Sequence, residues 1–143
     1  MIFLQYVTQP SANDQLIRDV MKAVNGEFNA IRVYEHLAQL APNEEVRKRI
    51  LEIRRDEMRH YQGYVNTYMY LTGQQPSPKM TEPLPKNFKS GVLAAFKDEQ
   101  ETVEFYNRVA SGTTIPFISH QFRTDAFDEQ NHAVWFLYYL YQY

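Results

Sequence analysis

The sequence predicts an all-α protein in which two helical hairpins form a four-helix bundle and are joined by a long crossover connection. Apolar residues recur at intervals of three and four along four segments, which is the spacing of one face of an α-helix. Strand-like alternation is not evident in the sequence, and four of the seven prolines lie in one segment between the second and third helices. The length of 143 residues suits a single domain with one sizeable core.

The first hairpin is predicted over residues 13–73. Apolar positions keep helical spacing over residues 13–40, and the APNEE segment that follows supplies a stop and a new start, with Asn43 as N-cap and acidic residues in the first turn. The second helix is predicted over residues 44–71. Gly73 suits the position just past its end, where a left-handed backbone is common.

The crossover and the second hairpin are predicted in the remaining chain. Residues 74–89 hold the four clustered prolines, and a segment of this length reaches roughly 50 Å when extended, enough to run back along a bundle. The second hairpin is predicted over residues 90–142, with helices at 90–110 and 115–141 separated by the breaker SGTTIPF.

Composition excludes several classes of function. The net charge is −2 and no basic tract extends beyond a few residues, so binding to nucleic acid is not expected. The absence of cysteine excludes disulfides, thiolate metal sites and cysteine catalysis, and it is compatible with a cytoplasmic protein. No apolar run is long enough to span a membrane, and MIFLQYVTQPSANDQ is predicted to be an N-terminal arm rather than a signal peptide.

An internal repeat relates the two hairpins. It aligns them without insertion at an offset of 72 positions, so that each hairpin carries a Glu on its first helix and a Glu-x-x-His motif on its second. The matched pairs are Glu27 with Glu99, Tyr34 with Tyr106, Ala38 with Ala110, Asp56 with Asp128, Glu57 with Glu129 and His60 with His132.

The spacing of the repeated polar residues fits a dinuclear metal site. Residues three apart lie on one helical face, so the Glu and His of each motif can converge on one point. A four-helix bundle can hold one such pair on each of two helices and one further Glu on each of the other two, all projecting inward. Four carboxylates and two imidazoles suit iron or manganese, and six ligands for two metals leave open positions for O₂, peroxide or water.

The alternative is that each motif is a solvated helix turn, or that the matches persist only through descent from a duplicated hairpin. A single Glu-x-x-His motif is most often such a surface turn. However, Glu27 and Glu99 align with the apolar stripes of their helices, where unpaired carboxylates would cost several kcal/mol. The sequence therefore favours a metal site.

A family resemblance supports this interpretation. NGEFNAIRVYEHLA with RRDEMRHY, and KDEQETVEFYNRVA with FDEQNHAVWF, resemble the ferritin-like superfamily and specifically its rubrerythrin-like branch, from about Leu16 to Leu140. The resemblance implies a left-handed four-helix bundle with a crossover connection and a non-haem centre of two Fe ions, with Mn or Zn as alternatives. Carried over position by position, it assigns the ligands to Glu27, Glu57, His60, Glu99, Glu129 and His132.

Four further residues are candidates for support of the ligands. The Asp-Glu-x-x-His arrangement also resembles that of bacterial di-iron monooxygenases, which implies that Asp56 contacts His132 and that Asp128 contacts His60 across the bundle. The alternative is that both are surface aspartates. Tyr34 and Tyr106 stand two turns after their Glu residues, where they would hydrogen-bond a ligand, relay an electron, or simply pack in the core.

Other conspicuous side chains are given structural interpretations. His36 and His120 have no partner in the repeat and are expected on the surface. The aromatic end of the last helix, WFLYYLYQY, is apolar nearly all round and predicts a homodimer interface rather than radical chemistry.

The resemblance also indicates what this chain lacks. Peroxidase rubrerythrins carry a rubredoxin-type Cys₄ iron domain and an additional Glu where this chain has Thr102, so the site resembles the symmetric six-ligand type of bacterioferritin ferroxidase centres. The expected function is that of an oxidoreductase that reacts with O₂ or H₂O₂ and is re-reduced by an external electron donor. Two alternatives stay open: iron sequestration with ferroxidase activity, and a structural module stapled by the metal pair.

Overall fold

The computed structural model describes residues 12–143 and folds them into four α-helices without strands. The predicted all-α four-helix bundle is thereby confirmed, whereas residues 1–11 of the expected N-terminal arm lie outside the described range. No helix in that range is long and apolar enough to cross a membrane. The helices are α1 (Ala12–Gln39), α2 (Glu44–Thr72), α3 (Phe88–Gly112) and α4 (Pro116–Gln142).

Helix ends follow the capping signals in the sequence. The Asn43 side chain accepts a hydrogen bond from the Val46 amide at 3.0 Å and starts α2, and Gly73 ends that helix with a φ of 71°, a backbone conformation that favours glycine. In the same way Asn87 accepts from the amide of Ser90 at 2.9 Å, and therefore α3 begins two residues before the predicted start.

The helices form a ring in the order α1, α2, α4, α3. Each hairpin packs along its own length, α1 also lies beside α3, and α2 also lies beside α4. The Asn43 amide donates to the Tyr143 hydroxyl at 2.9 Å, which places the end of α4 at the turn between α1 and α2. Neighbouring helices are thus antiparallel, and the connector between α2 and α3 runs the length of the bundle.

One face of α1 holds this connector in place. Asn25, Asn29, Arg32 and His36 recur at helical spacing along α1. All of them bind backbone atoms of the connector, including the carbonyls of Lys79, Glu82 and Pro85 and the amides of Lys79, Thr81 and Glu82. The prediction that His36 is a surface residue is therefore wrong, because the imidazole is half-buried against the Pro85 carbonyl at 3.0 Å. His120 is exposed, as predicted.

The core consists of two apolar layers at opposite ends of the bundle. Along every helix the predicted metal ligands fall between the residues of one layer and those of the other. The lower layer includes Val20, Val24, Tyr64, Phe105, Tyr106 and Phe122. The upper layer includes Tyr34, Leu37, Ile50, Val92, Phe136 and Tyr139.

Candidate metal centre

The six side chains predicted as ligands meet in the middle of the bundle. Each is at most 2% exposed. They form two overlapping groups of four, and within each group one potential ligand atom per residue lies within 4.8 Å of the others. Glu57 and Glu129 belong to both groups, whereas Glu27 with His60 and Glu99 with His132 each belong to one. Each group could therefore hold a metal ion, and the two groups have Glu57 and Glu129 in common.

The hydrogen bonding of these residues fits a bound cation. In the part of the chain that the structure describes, every one of the six has a single buried atom without a hydrogen-bond partner. Leaving such atoms unpaired costs about 1–3 kcal/mol each, and cations between them would satisfy all six at once. The buried Glu and His residues can therefore hold metal. The unpaired atoms are Glu27 Oε2, Glu57 Oε1, His60 Nδ1, Glu99 Oε2, Glu129 Oε1 and His132 Nδ1.

Both imidazoles present the same nitrogen to the carboxylates. His60 Nδ1 lies 2.9 Å from Glu129 Oε1, and His132 Nδ1 lies 2.8 Å from Glu57 Oε1. The other nitrogen of each ring, Nε2, points outward to an aspartate. With Nε2–H directed outward, Nδ1 faces the carboxylates, where a cation could replace its proton.

The two aspartates stand where the resemblance placed them. His60 Nε2 donates to Asp128 Oδ2 at 2.8 Å, and His132 Nε2 donates to Asp56 Oδ2 at 2.9 Å, so each contact crosses between α2 and α4. Arg59, which the sequence did not flag, donates to Asp56 at 3.0 Å and to Asp128 at 2.8 Å. Only its position three residues after Asp56 could have suggested this role.

The two tyrosines hydrogen-bond ligands of the opposite hairpin. Tyr34 donates to Glu99 Oε1 at 2.5 Å, and Tyr106 donates to Glu27 Oε1. In both cases the tyrosine occupies one carboxylate oxygen, and the second oxygen is the unpaired atom described above. Both tyrosines are also packed in the core, so the structure combines two of the alternatives left by the sequence: core packing and a hydrogen bond to a predicted ligand.

Burial and mutual repulsion alter the acidity of the ligands. Burial, followed by the charge of Glu57, raises the pKa of Glu27 to about 8, and burial with neighbouring carboxylates raises the pKa of Glu129. Burial alone would lower the pKa of His60 and His132, but the surrounding glutamates outweigh it and raise both values. Protons and metal cations thus compete for the same atoms.

A cavity of about 790 Å³ reaches the centre from one side. It lies between α1 and α3, is bordered by connector residues 81–86, and is lined by all four glutamates and both tyrosines. The two histidines are not among its lining residues. Small molecules could therefore approach the carboxylate side of the centre. Thr102, where peroxidase rubrerythrins have an additional Glu, also lines this cavity.

Besides Arg59, sequence reasoning missed a second residue near the centre. Asp125 Oδ1 lies 3.5 Å from His60 Nε2, and its side chain is only 15% exposed. Burial raises the pKa of Asp125, an effect that His60 counteracts. The repeat gave no signal for this residue, because its counterpart at the same offset is Ile53.

Comparison with known proteins finds a relative in sequence and a solved structure of similar fold. The chain is 56% identical over 125 residues to YhjR of Bacillus subtilis (strain 168), a protein described as uncharacterized, and the match covers 87% of this chain and 86% of YhjR. A hypothetical protein from Pyrococcus furiosus has a solved structure of similar fold, with a TM-score of 0.76, 17% identity and 87% coverage of both chains. No family model matches the chain.

Proposed function

The chain belongs to the family of YhjR, and we propose that it is a rubrerythrin-like non-haem di-iron protein that acts as an oxidoreductase on O₂ or H₂O₂. The observation that carries this proposal is the pair of overlapping Glu and His groups, buried and sharing Glu57 and Glu129. Two iron ions held there would supply the two electrons needed to reduce O₂ to peroxide, or H₂O₂ to water. An external donor would return those electrons.

The residues around the centre suit this chemistry. The cavity between α1 and α3 admits a small oxidant to the carboxylate side. Tyr34 and Tyr106 fix one oxygen of Glu99 and of Glu27 and leave the second oxygen for a cation. The glutamates keep one unpaired oxygen each and would offset the charge of bound cations, while Asp56 and Asp128 keep the imidazoles oriented.

The test combines metal content with reactivity. Protein loaded anaerobically with Fe(II) should bind two ions per chain, and mixing with H₂O₂ or O₂ in a stopped-flow spectrometer should produce the absorbance of an oxidised iron pair. Glu129→Gln should lose metal and reaction together. Glu45→Gln, at an exposed position outside the centre, is the matched control and should behave as wild type. A protein that is fully loaded with iron and reacts with neither oxidant would refute the proposed oxidoreductase activity.

A second candidate function is ferroxidase activity coupled to iron sequestration. It is favoured by Glu82, Asp98 and Glu101, which line the same cavity and could guide iron cations toward the ligands. Size-exclusion chromatography under iron load separates the two functions. A large mineral-filled assembly supports sequestration, and a discrete species with two metals per chain supports redox turnover. A strong loss of melting temperature on chelation without any reaction would instead support the structural module.

The homodimer predicted from the sequence is part of the proposal. Phe127, Val134, Tyr138 and Tyr141 are between 48% and 87% exposed on α4 and recur at helical spacing. A second copy of the chain packed on this face would cover them. Light scattering should then give a dimer for the wild type and a monomer for Val134→Lys.

A further inference from the structure

The two halves of the centre have different surroundings. The repeat places Asp125 opposite Ile53 and Tyr64 opposite Phe136. Polar side chains therefore stand near His60 at two positions where the His132 half has apolar ones. The six ligands, the two supporting tyrosines and the two outer aspartates are matched between the halves, so this difference stands out against a symmetric background.

The difference lies directly behind the histidine ligand. His60 Nε2 has two carboxylates around it, Asp128 at 2.8 Å and Asp125 at 3.5 Å. His132 Nε2 donates to Asp56 at 2.9 Å, and the position equivalent to Asp125 holds the buried Ile53. The imidazole of His60 therefore lies in a more negative environment than that of His132.

The second asymmetric pair extends this contrast. Tyr64 is completely buried, and in the described part of the chain its hydroxyl has no hydrogen-bond partner. Its counterpart Phe136 is equally buried and packs against the Tyr34 ring, with 5.3 Å between ring centroids. This hydroxyl lies close enough to Asp125 for the charge of the carboxylate to raise the pKa of Tyr64, whereas Phe136 brings no polar atom to the other half.

The positive charge nearby does not cancel the asymmetry. Arg59 contacts Asp56 and Asp128, one behind each histidine, so both halves share its charge. Within the described residues, the ion pairs of Asp125 involve His60 alone. The extra negative charge of the His60 half is therefore not neutralised by an arginine or lysine.

We propose that Asp125 is a positioning residue that makes the two metal positions inequivalent, so that the position of Glu27 and His60 binds a divalent cation more tightly than that of Glu99 and His132. The inference rests on the proposed metal-binding function. A carboxylate behind a ligating imidazole orients the ring and raises its basicity, and removal of such a partner typically lowers metal affinity about 10- to 100-fold. Asp125 adds a second carboxylate behind His60, 3.5 Å from Nε2.

The experiment is an anaerobic titration with Co²⁺, followed by calorimetry and by the visible absorption of the bound ion. Wild-type protein should bind two ions in two resolved steps. In Asp125→Asn the tighter step should weaken about 10-fold or more and approach the weaker one, with a shifted cobalt spectrum. Asp125→Ile, which copies the other half, should do the same; if it fails to fold, Asp125→Asn keeps the shape of the side chain and carries the test.

Single-position backgrounds assign the effect to one metal. Glu99→Gln removes a glutamate that belongs only to the His132 position. Glu27→Gln removes one that belongs only to the His60 position. Asp125→Asn should weaken cobalt binding in the Glu99→Gln background and leave it unchanged in the Glu27→Gln background, whereas Asp56→Asn should show the reverse. A structural role of Asp125 would weaken binding equally in both backgrounds and overturn the inference.

The outcomes separate this inference from the proposed function. Two indistinguishable binding steps in the wild type, unchanged in Asp125→Asn, overturn the inequivalence and leave the dinuclear centre standing. A wild-type protein that folds but binds no cobalt overturns the metal-binding function itself, and the inequivalence with it.

Discussion

The layer of proposed metal ligands (called the ligand layer) and the apolar layers above and below it are built on the same four helices and are equally buried, yet they act on folding in opposite directions. Phe122 and Phe136 are fully buried in the lower and upper layers, where burial of an aromatic side chain stabilises the fold. Between them, buried glutamates and histidines keep unpaired atoms, which destabilises it. A bundle can carry such a centre because apolar packing at both ends supports it.

The largest expected effect comes from breaking an apolar layer. The reference state is the chelated protein, which means protein kept free of metal by a chelator. In this state Phe122→Ala should lower the free energy of unfolding by about 3–5 kcal/mol, because Phe122 packs against the rings of Tyr64, Tyr106 and Phe105. Urea unfolding measures this. Phe117→Ala, at a position 49% exposed, is the control and should cost much less. Equal losses in the two variants would mean that the layers do not carry the stability.

Removing polar residues from the ligand layer should have the opposite sign. The double variant Glu57→Met and His132→Leu replaces a pair 2.8 Å apart by apolar side chains of similar volume. Such replacements are neutral or stabilise by about 1–4 kcal/mol, so the chelated variant should unfold at equal or higher urea concentration than wild type. Metal analysis should show that it no longer binds two ions. A loss as large as that of Phe122→Ala would refute the contrast between layers.

The ligand layer should also give the protein its pH dependence. The folded-state pKa of Glu27 is raised from 4.5 to about 8, so above pH 4.5 the folded protein holds a proton that the unfolded chain has lost. Stability of the chelated protein should therefore fall as pH rises from 6 to 8, by about 2 kcal/mol for this one proton. Glu27→Gln should flatten the dependence, and an unchanged slope in this variant would contradict the assignment.

Metal should reverse this trend. Cations displace the protons held by Glu27 and by the two histidines, so affinity should increase over the same pH window. The rise in melting temperature on adding Fe(II) anaerobically should be larger at pH 8 than at pH 6. Calorimetry in two buffers of different ionisation enthalpy should detect the released protons.

The smallest effect is expected where the two kinds of layer meet. Tyr34 belongs to the upper layer through its ring and to the ligand layer through its hydroxyl, which donates to Glu99. Tyr34→Phe keeps the ring and should cost about 1 kcal/mol of stability, together with a modest loss of metal affinity at the Glu99 position. Tyr70→Phe, at a position 67% exposed, should change neither.

The sequence predicted the parts of the centre that lie within one helix or one repeat. Glu57 and His60 share a helical face by spacing alone, and the 72-residue offset supplied Glu129 and His132. Asn43 and Gly73 set the ends of α2 close to where they were expected, because their roles depend on local backbone geometry. Local rules suffice for such features.

Contacts that depend on which helices are neighbours were harder to predict. The ring order puts α1 beside α3, and only this arrangement lets Tyr34 reach Glu99 and opens the cavity between these helices. Asp125 was not predicted, because its counterpart in the repeat is Ile53 and the predicted centre consists of residues that match between the two halves. A polar residue that is present in one half only has no counterpart to reveal it.

The way α1 holds the connector has a consequence for the evolution of this protein's sequence. The connector is held through its main chain: its amides donate to Asn25 and Asn29, and its carbonyls accept from Asn29, Arg32 and His36. Pro85 has no amide hydrogen and takes part through its carbonyl. The route of the connector is thus encoded in α1 rather than in the segment that follows it. Mutations could accumulate in the connector side chains, or new ones could be designed there, without redirecting the chain over the cavity.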